Sequence, residues 1–221
     1  MDRPGLDNAK HRNALAGLRR LNLASGVYGQ LCNELVRYSR SRGVVRLKVL
    51  DIASGGGDVA LGMWRQARKR GLDLQILGLD VSAAACEVAR EQCLEANCSI
   101  KFDQLDVIAQ ALPAGSDVVT CSLFLHHLRH DQASQLLRKM AAAGPLFLAS
   151  DLRRCASGYF MAQLACHCLT RSPVVRYDGP QSVANAFTLP EMRELCDDAG
   201  LQDATIRKVW PCRMLLKRQE S

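Results

Sequence analysis

Three aspartates and a pair of histidines close apolar runs: Asp51 in "VLDIA", Asp80 in "ILGLD", Asp106 in "FDQLD" and His126–His127 in "LFLHHL". A group that ends an apolar strand of a parallel sheet sits at the strand's C-terminal end, where α/β sheets bind ligands. Carboxylates there accept hydrogen bonds from hydroxyls and pair with cations, and a histidine there can take a proton near neutral pH. After Asp51 the chain reads "ASGGGDVA" (53–60), small residues running into a helix-compatible pattern. Such a loop lets a ligand approach the backbone while the first N–H groups of the helix face it.

Two ligands compete for this loop. Gly55-x-Gly57-x-x-Ala60 fits the dinucleotide fingerprint, and Asp80 falls where an acidic residue binds a ribose hydroxyl. The rival is S-adenosylmethionine, whose adenosine also needs an acidic residue ending the second strand, and whose ammonium wants a carboxylate. Asp51 supplies that carboxylate, and it would repel a pyrophosphate. Asp106 could reach the adenine amino group. The order Asp51, loop, Asp80, Asp106 therefore fits a cationic sulfonium cofactor better than a dinucleotide. The plain alternative for Asp51 and Asp106 is capping or loop hydrogen bonding, common for aspartates after strands.

The elements that must position these groups alternate. "RLKVLDIA" reads as a strand, "DVALGMWRQARKRG" as a helix stopped by Gly71, and "LQILGLDV" as a second strand. "SAAACEVAREQCLEAN" reads as a helix capped by Ser82, followed by strands "SIKFDQLDV" and "SDVVTCSLFL", helix "DQASQLLRKMAAAG" and strand "PLFLASDL". Apolar strands alternating with helices predict a parallel sheet covered on both faces. After helix "LPEMRELCDDAG", strands "ATIRKVW" and "CRMLLKR" lie too close for a crossover and must pair antiparallel. Ahead of the sheet, Leu15, Leu18, Leu21, Val27, Leu31 and Leu35 recur at helical spacing, with "ASG" (24–26) splitting two helices.

With these motifs in order, the sequence resembles the class I S-adenosylmethionine-dependent methyltransferases. "VLDIASGGGDVA", "GLDVS", "FDQLDV" and "DVVTCSLFLHHL" look like that family's ordered motifs, and the resemblance covers about residues 45–218. It implies an α/β, Rossmann-like three-layer sandwich with a seven-stranded, mostly parallel sheet and a C-terminal antiparallel hairpin. It also implies cofactor contacts at Asp51, Ala53, Ser54, Gly55, Gly57, Asp80, Val81, Asp106, Val107, Cys121 and Ser122. Ala53 stands where the family often has glycine, which alanine tolerates if its backbone dihedrals are ordinary.

Base methylation of nucleic acids is disfavoured: "CSLF" carries no Asn/Asp-Pro-Pro-aromatic motif, and Pro211–Cys212, the only Pro-Cys, lies in the final hairpin. Aromatic residues are 5% of the chain, too few to suggest a base-stacking surface. Hydroxyl methylation instead needs a base beside the acceptor, a role suited to histidine. The stretch through "QLLRKM" resembles the His-Asp-Trp-Ser-Asp region of phenolic O-methyltransferases and places their catalytic histidine on His126, with His127 as a rival. The tryptophan and both aspartates of that region are absent. "DLRR…GP.SV..AFT..E...L...AGL" is similar to small-molecule methyltransferases of bacterial polyketide and quinone pathways. The expected reaction is O-methylation of a phenol or carboxylic acid, with C-methylation or a degenerate regulatory protein as alternatives.

The insert Asp151–Ala186 carries an apolar helical part, Tyr159–Leu169, flanked by Arg153, Arg154, Arg171, Arg176 and Asp178. It reads as a lid for an apolar acceptor with a polar head, and places Arg153, Arg154 and Tyr159 at the substrate. The N-terminal helices, about Leu15–Tyr38, carry an apolar face that would fold over the site and bring Arg19 and Asn22 near it.

The 221 residues, 48% hydrophobic, suit one domain: a helical cap (1–44), a cofactor-binding core (45–152), a lid (153–188) and a C-terminal helix and hairpin (189–221). No apolar leader or span is apparent, so a cytoplasmic protein, monomer or homodimer, is expected, with a small-molecule acceptor as partner and no nucleic acid. The net charge of +7 sits entirely in residues 1–50 and reads chiefly as a solvated helix face. The ten cysteines include no CxxC and read as free thiols. Within "CHC" (166–168) neighbouring helical side chains diverge, so no metal is expected.

Overall fold

The computed structural model describes residues 26–169 and 173–220. Helix α1 (Val27–Arg42) is followed by β1 (Arg46–Ile52), α2 (Asp58–Arg68), β2 (Asp73–Asp80), α3 (Ala83–Glu95), β3 (Lys101–Gln104) and β4 (Val118–Ser122). A 3-10 turn (Leu125–His127), α4 (His130–Ala143) and β5 (Leu146–Leu152) come next. Then come the paired helices α5 (Ala156–Leu169) and α6 (Pro173–Asn185), α7 (Leu189–Asp198), β6 (Thr205–Val209) and β7 (Arg213–Gln219).

The strands form one sheet in the order β3-β2-β1-β4-β5-β7-β6. β1 to β5 pair parallel, while β7 runs antiparallel to both β5 and β6. The expected architecture, including the closing hairpin, is what the chain adopts. β7 enters between β5 and β6, so the last strand lies inside the sheet. The order reverses between β1 and β4, which opens a crevice at their C-terminal ends.

Alternation along the strands builds two apolar layers. Leu47, Val49, Val118, Leu146 and Leu148 face α1, α2 and α3, whereas Leu50, Ile52, Val119, Phe147 and Ala149 face α4 and α7. α1 belongs to the first layer: Val27, Leu31, Cys32, Leu35 and Tyr38 are buried there. The expectation that the stretch to Tyr38 folds over the site is thus corrected for Val27–Tyr38, whose apolar face is consumed by the core. The buried Glu34 further ties α1 to the hairpin, accepting hydrogen bonds from Arg207 Nη2 at 2.6 Å and Lys217 Nζ at 3.4 Å. Arg19 and Asn22 lie outside the described residues.

Local signals place the helices. Ser82 Oγ accepts from the N–H of Ala85 at the start of α3, and Thr188 and Glu191 form a reciprocal cap on α7. The insert differs from expectation. It holds two helices, and α6 continues through Gly179–Pro180. A side chain at Gly179 would run into Cys166 Sγ on α5, so the glycine permits the two helices to pack closely. Among the described residues no helix is long and apolar enough to cross a membrane.

Candidate active site

A cavity of about 850 Å³ occupies the crevice, bounded by the loop after β1, the ends of β2, β4 and β5, helices α5 and α6, and the β6–β7 turn. Its volume lies toward the upper end of the ~300–1,000 Å³ usual for small-molecule sites.

The β1 end is acidic. Asp51 is 1% exposed and does not line the cavity. It lies behind the loop, where its Oδ1 accepts from Thr120 Oγ1 at 2.7 Å on the neighbouring strand. Its Oδ2 is buried with no hydrogen-bond partner among the described residues. Burial pushes the Asp51 carboxyl up to about 7; the Thr120 hydrogen bond opposes the rise, and the charges of Asp58 and Asp80 add to it. Asp58, at the start of α2, and Asp80 both line the cavity. An enclosed orphan carboxylate oxygen among three acidic groups fits a positively charged ligand and opposes a pyrophosphate.

Asp80 also holds the loop itself. Its Oδ2 accepts from Gly55 N at 2.8 Å and its Oδ1 from Ser82 N at 2.9 Å. Asp106 lines the cavity but follows β3 rather than ending it. Its Oδ1 accepts from the N–H groups of Ile108 and Ala109, so the loop-bonding role holds for that oxygen. Ala53, Ser54, Gly55, Val81, Val107 and Ser122 line the cavity, whereas Gly57 and Cys121 do not. A side chain at Gly57 would come within 2.7 Å of Phe102 and 2.8 Å of Ala89, at φ 77°, so that glycine serves the packing beneath the loop. Cys121 is 1% exposed, and burial pushes its thiol well up. Ala53 has φ 52°, so the condition of ordinary dihedrals is not met there; a side chain in the left-handed region costs about 1–2 kcal/mol. Leu123, on the opposite wall, is held the same way at φ 56°.

The β4 end carries the histidines, and both line the cavity. His126 is buried; its Nδ1 lies 2.6 Å from Asp151 Oδ1, and its backbone N–H donates to Asp151 Oδ2 at 3.1 Å. The rings of His126 and His127 lie 4.1 Å apart. Burial raises the Asp151 carboxyl, but the His126 charge and hydrogen bond, the Leu152 N–H and the Arg213 charge together hold it below the usual range. A histidine donating through Nδ1 to a carboxylate presents Nε2 as its basic nitrogen. Arg213 on β7 is buried on the same wall, its guanidinium pulled down by burial to about 10 while Asp151 pushes back.

Arg153, Arg154 and Tyr159, expected at the substrate, are not brought to the cavity wall. Arg154 is drawn outward by an ion pair with Glu191, the residue that caps α7. Arg153 donates its backbone N–H to Cys212 O, which extends the β5–β7 ladder. Tyr159 is 45% exposed on the outer side of α5. Asp178 does line the cavity, beside Gln181, Asn185 and the apolar Met161, Ala162 and Val183. Asp151 and Arg213 escaped the sequence reading. The first shares the signal that exposed Asp51, an aspartate ending an apolar strand; the second has no local signal.

Residues 49–143 match the family described as a methyltransferase domain. A ubiquinone biosynthesis O-methyltransferase of Pectobacterium atrosepticum is 30% identical over 170 residues, 76% of this chain and 67% of that protein. The chain belongs to the S-adenosylmethionine-dependent methyltransferases. A second methyltransferase of that description, from Pectobacterium carotovorum, is 35% identical over 126 residues, 56% of this chain and 50% of that protein. The methyltransferase chain described here thus spans half the length of one relative and 67% of the other. Among solved structures, magnesium protoporphyrin IX methyltransferase from Synechocystis with bound SAH shares the fold at TM-score 0.60 and 15% identity, over 91% of this chain and 87% of that one. An O-methyltransferase family 2 protein from Planctomyces limnophilus in complex with apigenin shares it at TM-score 0.58 and 17% identity, over 79% of this chain and 50% of that one.

Proposed function

We propose that this methyltransferase O-methylates a small, largely apolar phenol, with His126 as general base. The observation that carries the reading is the buried His126–Asp151 pair on the wall of a cavity whose other end is acidic. Bound S-adenosylmethionine supplies an activated methyl group on a sulfonium. Asp51, Asp58 and Asp80 favour its positive charge. Asp80 and Asp106 line the cavity as acceptors for hydroxyl and amino groups of the nucleoside.

The acceptor then lies between the histidines and α5–α6. His126 takes the phenolic proton on Nε2 as the oxygen attacks, and Asp151 stabilises the imidazolium that results. Arg213 adds a fixed positive charge that favours phenolate as it forms. Holding oxygen and methyl in line supplies most of the rate, and the base adds about 10²–10⁴-fold. The likeness to quinone-pathway relatives supports a phenolic acceptor. Arg213 also suits a carboxylic acid, which is ionised already and needs no base.

The deciding experiment is transfer of labelled methyl to a panel of phenols and aryl carboxylic acids by wild type and His126→Ala. A phenol-directed enzyme loses about 10²–10⁴-fold in turnover with cofactor affinity retained. Equal turnover of a phenol by the variant rejects the base. Transfer to carboxylic acids alone rejects the phenol.

A further inference from the structure

Two thiols meet at the rim of the cavity and take no part in the proposed reaction. Cys155 is the residue immediately before α5, its carbonyl accepting from Tyr159 N at 3.0 Å, and Cys212 lies in the β6–β7 turn on the cavity wall. Ser157 Oγ stands 3.5 Å from each sulfur and so bridges the two cysteine side chains. A Cβ added at Gly158 would lie 3.1 Å from Cys155 Sγ and 3.1 Å from Cys212 Cβ, so both side chains crowd one point. The ladder bond from Arg153 N to Cys212 O at 3.0 Å holds the two backbones side by side. Both residues are half-buried, which leaves them open to small reagents.

Cys155 differs from the core cysteines. Burial pushes the thiols of Cys32, Cys86, Cys93, Cys121, Cys166 and Cys196 up, and at Cys93, where the neighbouring Cys98 adds to the rise, to about 12. At Cys155 burial works in the same direction, but the Ser157 hydroxyl, the Gly158 N–H, Cys212 and the Arg153 charge outweigh it and hold the thiol below its ordinary value. A thiolate at a helix N-terminus beside a cation is the reactive kind.

We propose that Cys155 and Cys212 form a reversible disulfide that ties the start of α5 to the β6–β7 turn beside the cavity. The oxidant is a low-molecular-weight disulfide such as oxidised glutathione. Cys155 thiolate attacks one of its sulfurs, forming a mixed disulfide and expelling one thiolate. Cys212 then loses its proton and attacks Cys155 Sγ, expelling the second. Two protein thiols give up two electrons and two protons, and the oxidant becomes two thiols.

The test is equilibration of the native full chain in oxidised and reduced glutathione buffers, acid quenching, alkylation and peptide mass spectrometry. A Cys155–Cys212 peptide that reverts on reduction, with Cys93 and Cys98 still alkylated as free thiols, is the expected result. Cys155 should also react with iodoacetamide at neutral pH about tenfold faster than the exposed Cys168. Cys212→Ser should then stop at the mixed disulfide on Cys155. Absence of the 155–212 peptide in the oxidising buffer, or Cys155 reacting no faster than Cys168, overturns the proposal. These readouts need no methyl acceptor, so they stand or fall apart from the proposed reaction.

Discussion

Nδ1 of His126 lies 2.6 Å from Oδ1 of Asp151, and both side chains are almost fully enclosed. The carboxylate fixes one ring tautomer and holds the ring in place, so its removal should act through the histidine. Asp151→Asn is expected to lower turnover of a phenol about 10²-fold or more, to shift the pH–rate profile, and to leave cofactor affinity nearly unchanged. Single-turnover rates across about pH 5 to 9 check it, since that window brackets the ordinary histidine pKa. A variant that loses activity without any change in pH profile would make Asp151 a purely structural partner of the 125–127 backbone.

Asp51 links the cofactor site to pH. Its carboxyl titrates near 7 in the fold, against about 4 in an unfolded chain, where it is fully solvated. Between those values the folded state holds a proton that the unfolded state has lost. The stabilisation is therefore complete below about pH 4 and is lost as pH rises through 7. A cationic ligand in the cavity pairs with the enclosed Asp51 only through its field, which still reverses the balance because it favours the ionised form. Cofactor affinity should thus weaken by up to about tenfold per pH unit below 7, with proton release on binding. Calorimetry in two buffers of different ionisation enthalpy measures the proton; affinity that stays flat from about pH 5 to 7 rejects the pairing.

The sheet was legible because its strands are apolar and its helices punctuated, as at Ser82 and Gly71. The third strand ends early, at Gln104, because the chain enters the turn that Asp106 caps through Ile108 and Ala109. α6 was missed because Gly179–Pro180 reads locally as a breaker. What keeps the helix there is its packing on Cys166, a contact between segments that sequence spacing does not reveal. The same holds for the acceptor end of the site. Arg153 and Arg154 look like a charged rim, yet Glu191 on α7 draws Arg154 away, and the cation that does reach the wall, Arg213, arrives through β7 pairing with β5.

Asp80 carries two roles that a substitution can separate. Its oxygens accept from the N–H groups of Gly55 and Ser82, so Asp80→Ala would loosen the loop as well as remove ribose contacts. Asp80→Asn keeps the shape and one acceptor oxygen. It should weaken cofactor binding about tenfold or more, since a charge-assisted hydrogen bond is worth ~1.5–3 kcal/mol, and should shift the melting temperature of the ligand-free protein less than Asp80→Ala does. Unchanged cofactor affinity in Asp80→Asn would remove the ribose assignment.

Two neighbouring positions in the loop after β1 should respond in opposite directions. Ala53 is held at φ 52°, where its Cβ is strained, and Ala53→Gly removes that strain at the expense of a more flexible unfolded chain. The net expectation is a change between neutral and about 1 kcal/mol of stabilisation. Gly57 is also left-handed, but a Cβ added there would meet the Phe102 ring at 2.7 Å and the Ala89 methyl at 2.8 Å. Gly57→Ala therefore combines backbone strain with overpacking and should destabilise by about 2–4 kcal/mol, pushing α3 and β3 away from the loop. Urea denaturation of the ligand-free protein resolves both. An Ala53→Gly variant less stable than wild type by more than about 1 kcal/mol would mean that the alanine methyl is packed rather than strained.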